Sequence, residues 1–90
     1  MNIFECGDYK RCVNDWIAEQ PNGGHGQLRQ LSLYIGVNSV VMSQVFRGDR
    51  DLTLEQALAV SKFLGQSELE RDYFLLLVQR ERAFASGKGH

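Results

Sequence analysis

The chain has 90 residues, with 10 lysines and arginines against 11 aspartates and glutamates, and a formal charge of −1. This length suits one small domain, and 43% hydrophobic with 23% charged residues is typical of a globular protein. The longest apolar run, residues 73–78, is far shorter than the ~20 residues of a membrane span. Composition therefore excludes a membrane-spanning protein and a chain that binds nucleic acid through its overall charge.

The chemistry-bearing residues form no enzyme or metal motif. Cys6 and Cys12 are the only cysteines, and neither a CxxC pair nor a second ligand cluster accompanies them. His25 lies in a glycine-rich loop without a partner at catalytic or ligand spacing. Glu5 and Asp8 stand where a signal peptide would have its apolar segment. We therefore predict reduced thiols in a cytoplasmic protein, no cofactor, no bound metal and no enzymatic activity.

The first half of the chain contains two predicted helices. The first begins after the N-cap Asp8 and ends at Gln20, just before the only proline. The second runs from Gln27 to Ile35, where apolar residues at spacings of three and four form one face. Residues 22–26 between them are rich in glycine, which indicates a loop.

Three further helices have clear start or stop signals. Asn38 is a suitable N-cap for the third, which runs to Arg47 and ends at Gly48. Residues 53–56 and 67–70 are capping boxes, which start the fourth and fifth helices. These two helices are expected to end at Gly65 and about Ala85, followed by a flexible tail over residues 87–90.

These elements predict an all-α fold, with five helices packed as one domain over residues 1–86. Within it, residues 27–48 have the pattern of a helix-turn-helix. Gly36 can adopt the positive φ that a tight turn requires, and the small Ser32 lets the two helices approach each other. The expected core residues include Trp16, Met42, Val45 and Leu58.

Residues 31–38, with Met42 and Gly48 after them, resemble the helix-turn-helix of Cro and lambda-repressor-type DNA-binding domains. Residues 52–65 are similar to the fourth helix of that family, and the resemblance covers about residues 27–65. It implies a lambda-repressor-like bundle that binds double-stranded DNA as a bacterial or phage transcriptional regulator, cytoplasmic and associated with the nucleoid. Family members commonly begin the motif with Gln, in the slot that Leu28 occupies here.

The resemblance also implies that the third helix, about residues 38–47, enters the major groove. Taking Met42 as inward, a rotation of about 100° per residue puts Ser43 at the edge of the outward face. The residues on that face are Val40, Gln44 and Arg47. Gln44 can bond adenine and Val40 can touch a thymine methyl group, whereas arginines suit phosphates. The predicted DNA-binding residues are Gln27, Arg29, Asn38, Ser39, Val40, Ser43, Gln44, Arg47 and Arg50.

Charge is unevenly distributed along the chain. Residues 27–48 contain two arginines and no carboxylate, so that all 11 acidic residues lie elsewhere and the local charge is +2. A phosphate surface meets this local field rather than the net charge. Because few cations are available, we expect a shallow salt dependence and modest affinity for DNA.

The fifth predicted helix is apolar on all sides over residues 73–78, which is more than one small domain can bury. We therefore expect this run to face either a second copy, which would give a homodimer, or the further C-terminal domain that longer regulators of this type carry. The predicted interface residues are Tyr73, Phe74, Leu75, Leu77 and Val78.

A second function, of a different class, remains open at this point: a protein-interaction module on a helix-turn-helix scaffold. Val40 places an apolar side chain on the outward face, where Arg47 is the one full positive charge. Fold does not determine function, so the two hypotheses need separate tests. DNA binding predicts enrichment of a duplex sequence, whereas an interaction module predicts a protein partner that is lost with Val40→Asp.

Overall fold

A computed structural model describes the backbone of residues 3–88 and the side chains of residues 3–83. This part of the chain is all-helical, as predicted. Among these residues there is no strand, and no helix combines the length and apolar character needed to cross a bilayer. The five α-helices are α1 (Tyr9–Glu19), α2 (Gln27–Ile35), α3 (Ser39–Arg47), α4 (Leu54–Leu64) and α5 (Glu68–Lys88).

The predicted capping residues start the helices. The Asp8 carboxylate accepts a backbone N–H from the first turn of α1 at 2.9 Å, and the Asn38 amide oxygen accepts one from α3 at 2.7 Å. Both hydrogen bonds of each capping box, at residues 53–56 and 67–70, are formed. Helix starts in this chain are therefore set by local side-chain chemistry.

The secondary structure differs from the sequence prediction in two places. Helix α5 continues to Lys88 instead of ending near Ala85, since a glycine within a helix costs only about 1 kcal/mol. The last two residues of the predicted tail lie outside the described residues. Two short 3-10 helices, Ile3–Glu5 and Pro21–Gly24, were not predicted.

The core is formed by all five helices together with the first 3-10 helix. Tyr9 and Phe74 are fully buried, and their rings meet edge to face with centroids 5.9 Å apart. Met42 and Val45 are buried as predicted. The prediction for Leu58 is wrong, because this side chain lies on the outer side of α4 and is 40% exposed. Trp16 is only half-buried.

The structure corrects the predicted interface on α5. Phe74, Leu77 and Val78 are buried in the core of this same chain, so they are unavailable to a partner. Tyr73 is half-buried, and its hydroxyl donates to the Cys6 carbonyl at 2.8 Å. Six consecutive apolar residues have no period, so the sequence could not show which side of the helix faces inward. Of the predicted set only Tyr73 and Leu75 keep partial exposure.

A buried tyrosine joins α1 to the segment that follows α3. The Tyr9 hydroxyl donates to the Asp51 carboxylate at 3.0 Å and accepts the backbone N–H of Leu52 at 3.1 Å. The Lys10 ammonium group lies 3.1 Å from the same carboxylate. From α5, Arg82 donates to the Leu52 carbonyl at 2.9 Å. This segment is therefore held by side chains from both α1 and α5.

Tyr9→Phe is expected to destabilise the fold by about 1–3 kcal/mol, because it leaves the buried N–H of Leu52 without an acceptor. Urea unfolding followed by circular dichroism measures the loss. The control is Tyr34→Phe, at a tyrosine whose exposed fraction is 55%, which should change stability by less than about 0.5 kcal/mol. Equal effects of the two substitutions would contradict the role of the Tyr9 hydroxyl.

The buried Tyr9 hydroxyl should also make the stability of the fold depend on pH in the alkaline range. Burial raises the pKa of Tyr9 above its ordinary value, while the hydrogen bond from Leu52 opposes this shift. The unfolded chain ionises this tyrosine near pH 10 and the folded chain does so only at higher pH. The stability advantage of the natural chain over Tyr9→Phe should therefore be complete below about pH 10 and decline above it. Unfolding both proteins between about pH 8 and about pH 11 tests this, and a constant difference would refute it.

Candidate nucleic-acid interface

Helices α2 and α3 are joined by a turn of three residues, Gly36, Val37 and Asn38. Gly36 has a φ of 80°, and its N–H and that of Val37 both donate to the Ser32 carbonyl, at 2.9 and 3.0 Å. The Ser32 side chain is buried, and its hydroxyl donates to the Leu28 carbonyl at 2.7 Å. The left-handed glycine and the small buried serine let α2 and α3 pack directly against each other.

Helix α3 is held from its inner face and its C-terminal end. Met42 and Val45 are buried in the core, and the Asn14 side chain of α1 donates to the Phe46 carbonyl at 3.1 Å. The opposite face is open to solvent, where Val40 has 61% of its surface exposed. The outward face of α3 is therefore available to a ligand.

A shallow groove of about 460 Å³ lies between the first turn of α2 and the outward side of α3. Its described lining contains two arginines, two serine hydroxyls and two apolar side chains, and none of these residues is a carboxylate. No side chain caps α2, so backbone N–H groups of its first turn have no side-chain acceptor. The residues that line the groove are Gly26, Leu28, Arg29, Ser39, Val40, Ser43 and Arg47.

The groove brings together only part of the predicted DNA-binding set. Asn38 uses its amide oxygen to cap α3, and its NH₂ group is left to donate to a ligand. Arg50 is exposed in the segment after α3. The predicted residues inside the groove are Arg29, Ser39, Val40, Ser43 and Arg47, and those outside it are Gln27, Asn38, Gln44 and Arg50.

Gln44 adopts a conformation that does not suit the predicted contact with adenine. Its side chain is half-buried, and its amide oxygen is buried without a hydrogen-bond partner. The bidentate contact with adenine uses this oxygen together with the NH₂ group. Gln44 must therefore change rotamer before it can bond a base in this way.

Two residues of the groove were missed by the sequence prediction. Leu28 lines the wall beside Arg29. This position already stood out in the sequence, since Leu28 stands where the motifs that the chain resembles commonly have Gln. Gly26 has a left-handed φ of 84° directly before α2. A glycine adopts this conformation without strain, but the loop sequence alone did not show that it borders a groove.

The positive charges of the groove are accessible. Arg29 is exposed at the first turn of α2. Arg47 pairs with Asp49 at 3.3 Å, and the two side chains are 65% and 64% exposed. An exposed ion pair of this kind contributes at most about 1 kcal/mol, so an arriving phosphate can compete for Arg47.

Comparisons with protein-family models, with curated proteins and with solved structures find no match for this chain. Among the residues that the structure describes, histidine, cysteine, aspartate and glutamate side chains form no group of three that could hold a metal ion. The groove and its side chains are therefore the basis for assigning a function.

Gln44→Met is expected to stabilise the free protein by about 1 kcal/mol, because it replaces an amide whose buried oxygen has no hydrogen-bond partner with an apolar side chain of similar length. The melting temperature should rise by about 4–8 °C. Gln30→Met, at an exposed glutamine of α2, is the control and should leave the melting temperature nearly unchanged. A lower melting temperature for Gln44→Met would show that its amide has a stabilising partner.

Proposed function

We propose that this chain is the DNA-binding domain of a bacterial or phage transcriptional regulator, with α3 in the major groove. The observation that carries the proposal is the groove beside α3, where Arg29 and Arg47 lie with two serine hydroxyls and without a carboxylate in the described lining. A phosphodiester requires cations and hydrogen-bond donors in this arrangement, and it is repelled by carboxylates.

The first turn of α2 is the part that would hold the DNA backbone. Its backbone N–H groups lack a side-chain cap, and the helix macrodipole adds a partial positive charge of about +0.5 at this end. Arg29 lies in the same turn. A phosphate beside this turn would fix the register of the domain on the duplex without reading its sequence.

The outward face of α3 is the part that would read bases. The helix has nine residues and is about 14 Å long, and its diameter of about 10–12 Å with side chains fits the major groove of B-DNA, which is about 12 Å wide. Val40 suits the methyl group of thymine, and Ser43 has a hydroxyl that can donate or accept. After rotation into the groove, Gln44 would add the contact with adenine.

A homodimer would place two α3 helices at half-sites about 34–36 Å apart and would compensate for the small number of cations in each domain. Binding to chromosomal DNA would also locate the protein in the cytoplasm, at the nucleoid. Specificity would then depend on groove contacts and on the spacing of the half-sites more than on charge.

Arg29→Ala and Arg47→Ala test the phosphate contacts. A duplex is first selected from random sequences at low salt, and its affinity is then measured over a series of salt concentrations. Each substitution should reduce the slope of log Kobs against log salt by about 1, because one phosphate contact is lost.

The matched control is Arg11→Ala, at an arginine of α1 whose side chain is 79% exposed and which does not line the groove. It should leave the slope unchanged. Failure to select any sequence, or an equal loss of slope with Arg11→Ala, would overturn the proposal.

A second candidate, a protein-interaction module, is favoured by the exposure of Val40 next to Leu28 in the same groove. Val40→Lys separates the two functions. It should strengthen binding to non-specific duplex DNA and raise that salt slope by about 1, although it removes the contact of Val40 with a thymine methyl group in a selected sequence. It should weaken docking of an apolar protein surface. No gain in affinity for non-specific DNA would favour the interaction module.

A further inference from the structure

Helix α4 ends in a Schellman motif, which places a glutamine where an apolar residue is common. Gly65 has a left-handed φ of 71°, and its N–H donates to the Lys62 carbonyl at 3.1 Å. The N–H of Gln66 donates to the Ser61 carbonyl at 3.2 Å. The residue after the left-handed glycine frequently packs an apolar side chain back onto the helix. In this chain that position carries the polar side chain of Gln66.

The side-chain amide of Gln66 is buried without hydrogen-bond partners. Neither its nitrogen Nε2 nor its oxygen Oε1 has one. The backbone N–H of the same residue is bonded, so the unfavourable burial concerns the side chain alone. Buried polar atoms are almost always hydrogen-bonded in folded proteins. A ligand that bonds this amide would therefore remove an unfavourable feature of the free chain.

A cavity of about 220 Å³ lies beside Gln66. It is bordered by Trp16 and Glu19 in the last turn of α1 and by Glu70 in the first turn of α5. At about 30 Å³ for each water-sized group, the cavity has room for about seven non-hydrogen atoms. Its occupant is therefore a small compound, smaller than a nucleoside or a dipeptide.

The charges around this cavity favour a cation. Glu19 and Glu70 contribute carboxylates, and the described lining contains no lysine or arginine. The Ser67 N–H donates to the Glu70 carboxylate at 2.8 Å, and this hydrogen bond lowers the pKa of Glu70, so the group stays ionised at neutral pH. The indole of Trp16 adds an aromatic ring of the type that attracts cations best.

We propose that the cavity binds a small organic ammonium ion with a carboxamide next to its charge, such as an amino-acid amide. The ammonium group would lie between the two carboxylates and the Trp16 ring. The carboxamide would pair with the Gln66 amide through two hydrogen bonds, since each of these groups both donates and accepts. The Gln66 amide would turn towards the ligand by rotation about its side-chain bonds.

The buried amide selects this class over simpler ligands. An alkylammonium ion could donate to Oε1 of Gln66, but it has no acceptor for the NH₂ group. A neutral amide could satisfy both atoms, but it would leave the two carboxylates without a counter-charge. The cavity shares no lining residue with the groove beside α3, so the proposal does not rest on DNA binding and can fail independently of it.

Glycinamide is the probe, and Trp16, the only tryptophan of the chain, reports binding through its fluorescence. The full chain is titrated without DNA at about pH 6, where an α-amino group with a pKa of about 8 is protonated. We expect a saturable change with a dissociation constant on the order of 1 mM. Ethylammonium lacks the carboxamide and acetamide lacks the charge, so each should bind at least about tenfold more weakly.

Two substitutions test the two halves of the site separately. Gln66→Met should keep the fold, because an apolar residue suits this position of the motif. It should weaken glycinamide binding at least about tenfold and leave the affinity for ethylammonium nearly unchanged. Glu70→Gln preserves the capping box, which also accepts glutamine, and should weaken both ammonium compounds. Glu68→Gln, at an exposed carboxylate of the same turn outside the cavity, is the matched control and should change neither affinity.

The comparison of the three ligands uses the natural chain, so it does not depend on the folding of any variant. Circular dichroism checks that each variant stays folded. The absence of a saturable response to glycinamide, equal binding of ethylammonium or acetamide, or full glycinamide affinity in Gln66→Met would overturn the proposal.

Discussion

The buried hydroxyl of Tyr9 is the contact on which the position of α3 depends. This hydroxyl has both a hydrogen-bond acceptor and a donor as partners, since it donates to the Asp51 carboxylate and accepts the backbone N–H of Leu52. This fixes the segment after α3 against α1, and Arg82 attaches the same segment to α5. A buried hydroxyl with two partners tolerates little displacement, because any shift leaves a polar group without a hydrogen bond. The end of α3 is therefore held in one place by contacts that are far apart in sequence.

This attachment leaves the surfaces that could bind a partner unobstructed. Helix α3 is held at its inner face and C-terminal end, so its outward face and the first turn of α2 border an open groove. On α5, Phe74 and Val78 fill the core, whereas the Leu76 side chain is 61% exposed. The near-neutral net charge of the chain hides the local pattern, in which the motif is free of carboxylates and acidic residues lie around it.

Local features of the fold could be predicted from the sequence, whereas long-range ones could not. Asp8, Asn38 and the two capping boxes act on neighbouring backbone groups, so the sequence alone locates them. No local signal in the sequence indicates the role of Asp51, because its partner Tyr9 is 42 positions away. Burial of Ile3 likewise depends on packing against α5, which no local signal indicates.

At the candidate site, too, the sequence predicted local features but not those that depend on contacts between helices. A helical wheel assigned Val40 and Arg47 to the outward face, and both line the groove. It assigned Gln44 there as well, yet the wheel gives only the direction in which a side chain leaves the helix. The rotamer, and with it the burial of the Gln44 amide oxygen, depends on neighbouring helices.

The most direct measurement is an NMR titration of the ¹⁵N-labelled chain with selected duplex DNA at low salt. We predict amide shifts concentrated in residues 26–29 and 39–47, with residues 69–83 changing little. Amide spectra that do not respond to DNA, or shifts confined to α5, would contradict the assignment of the groove as a DNA-binding surface.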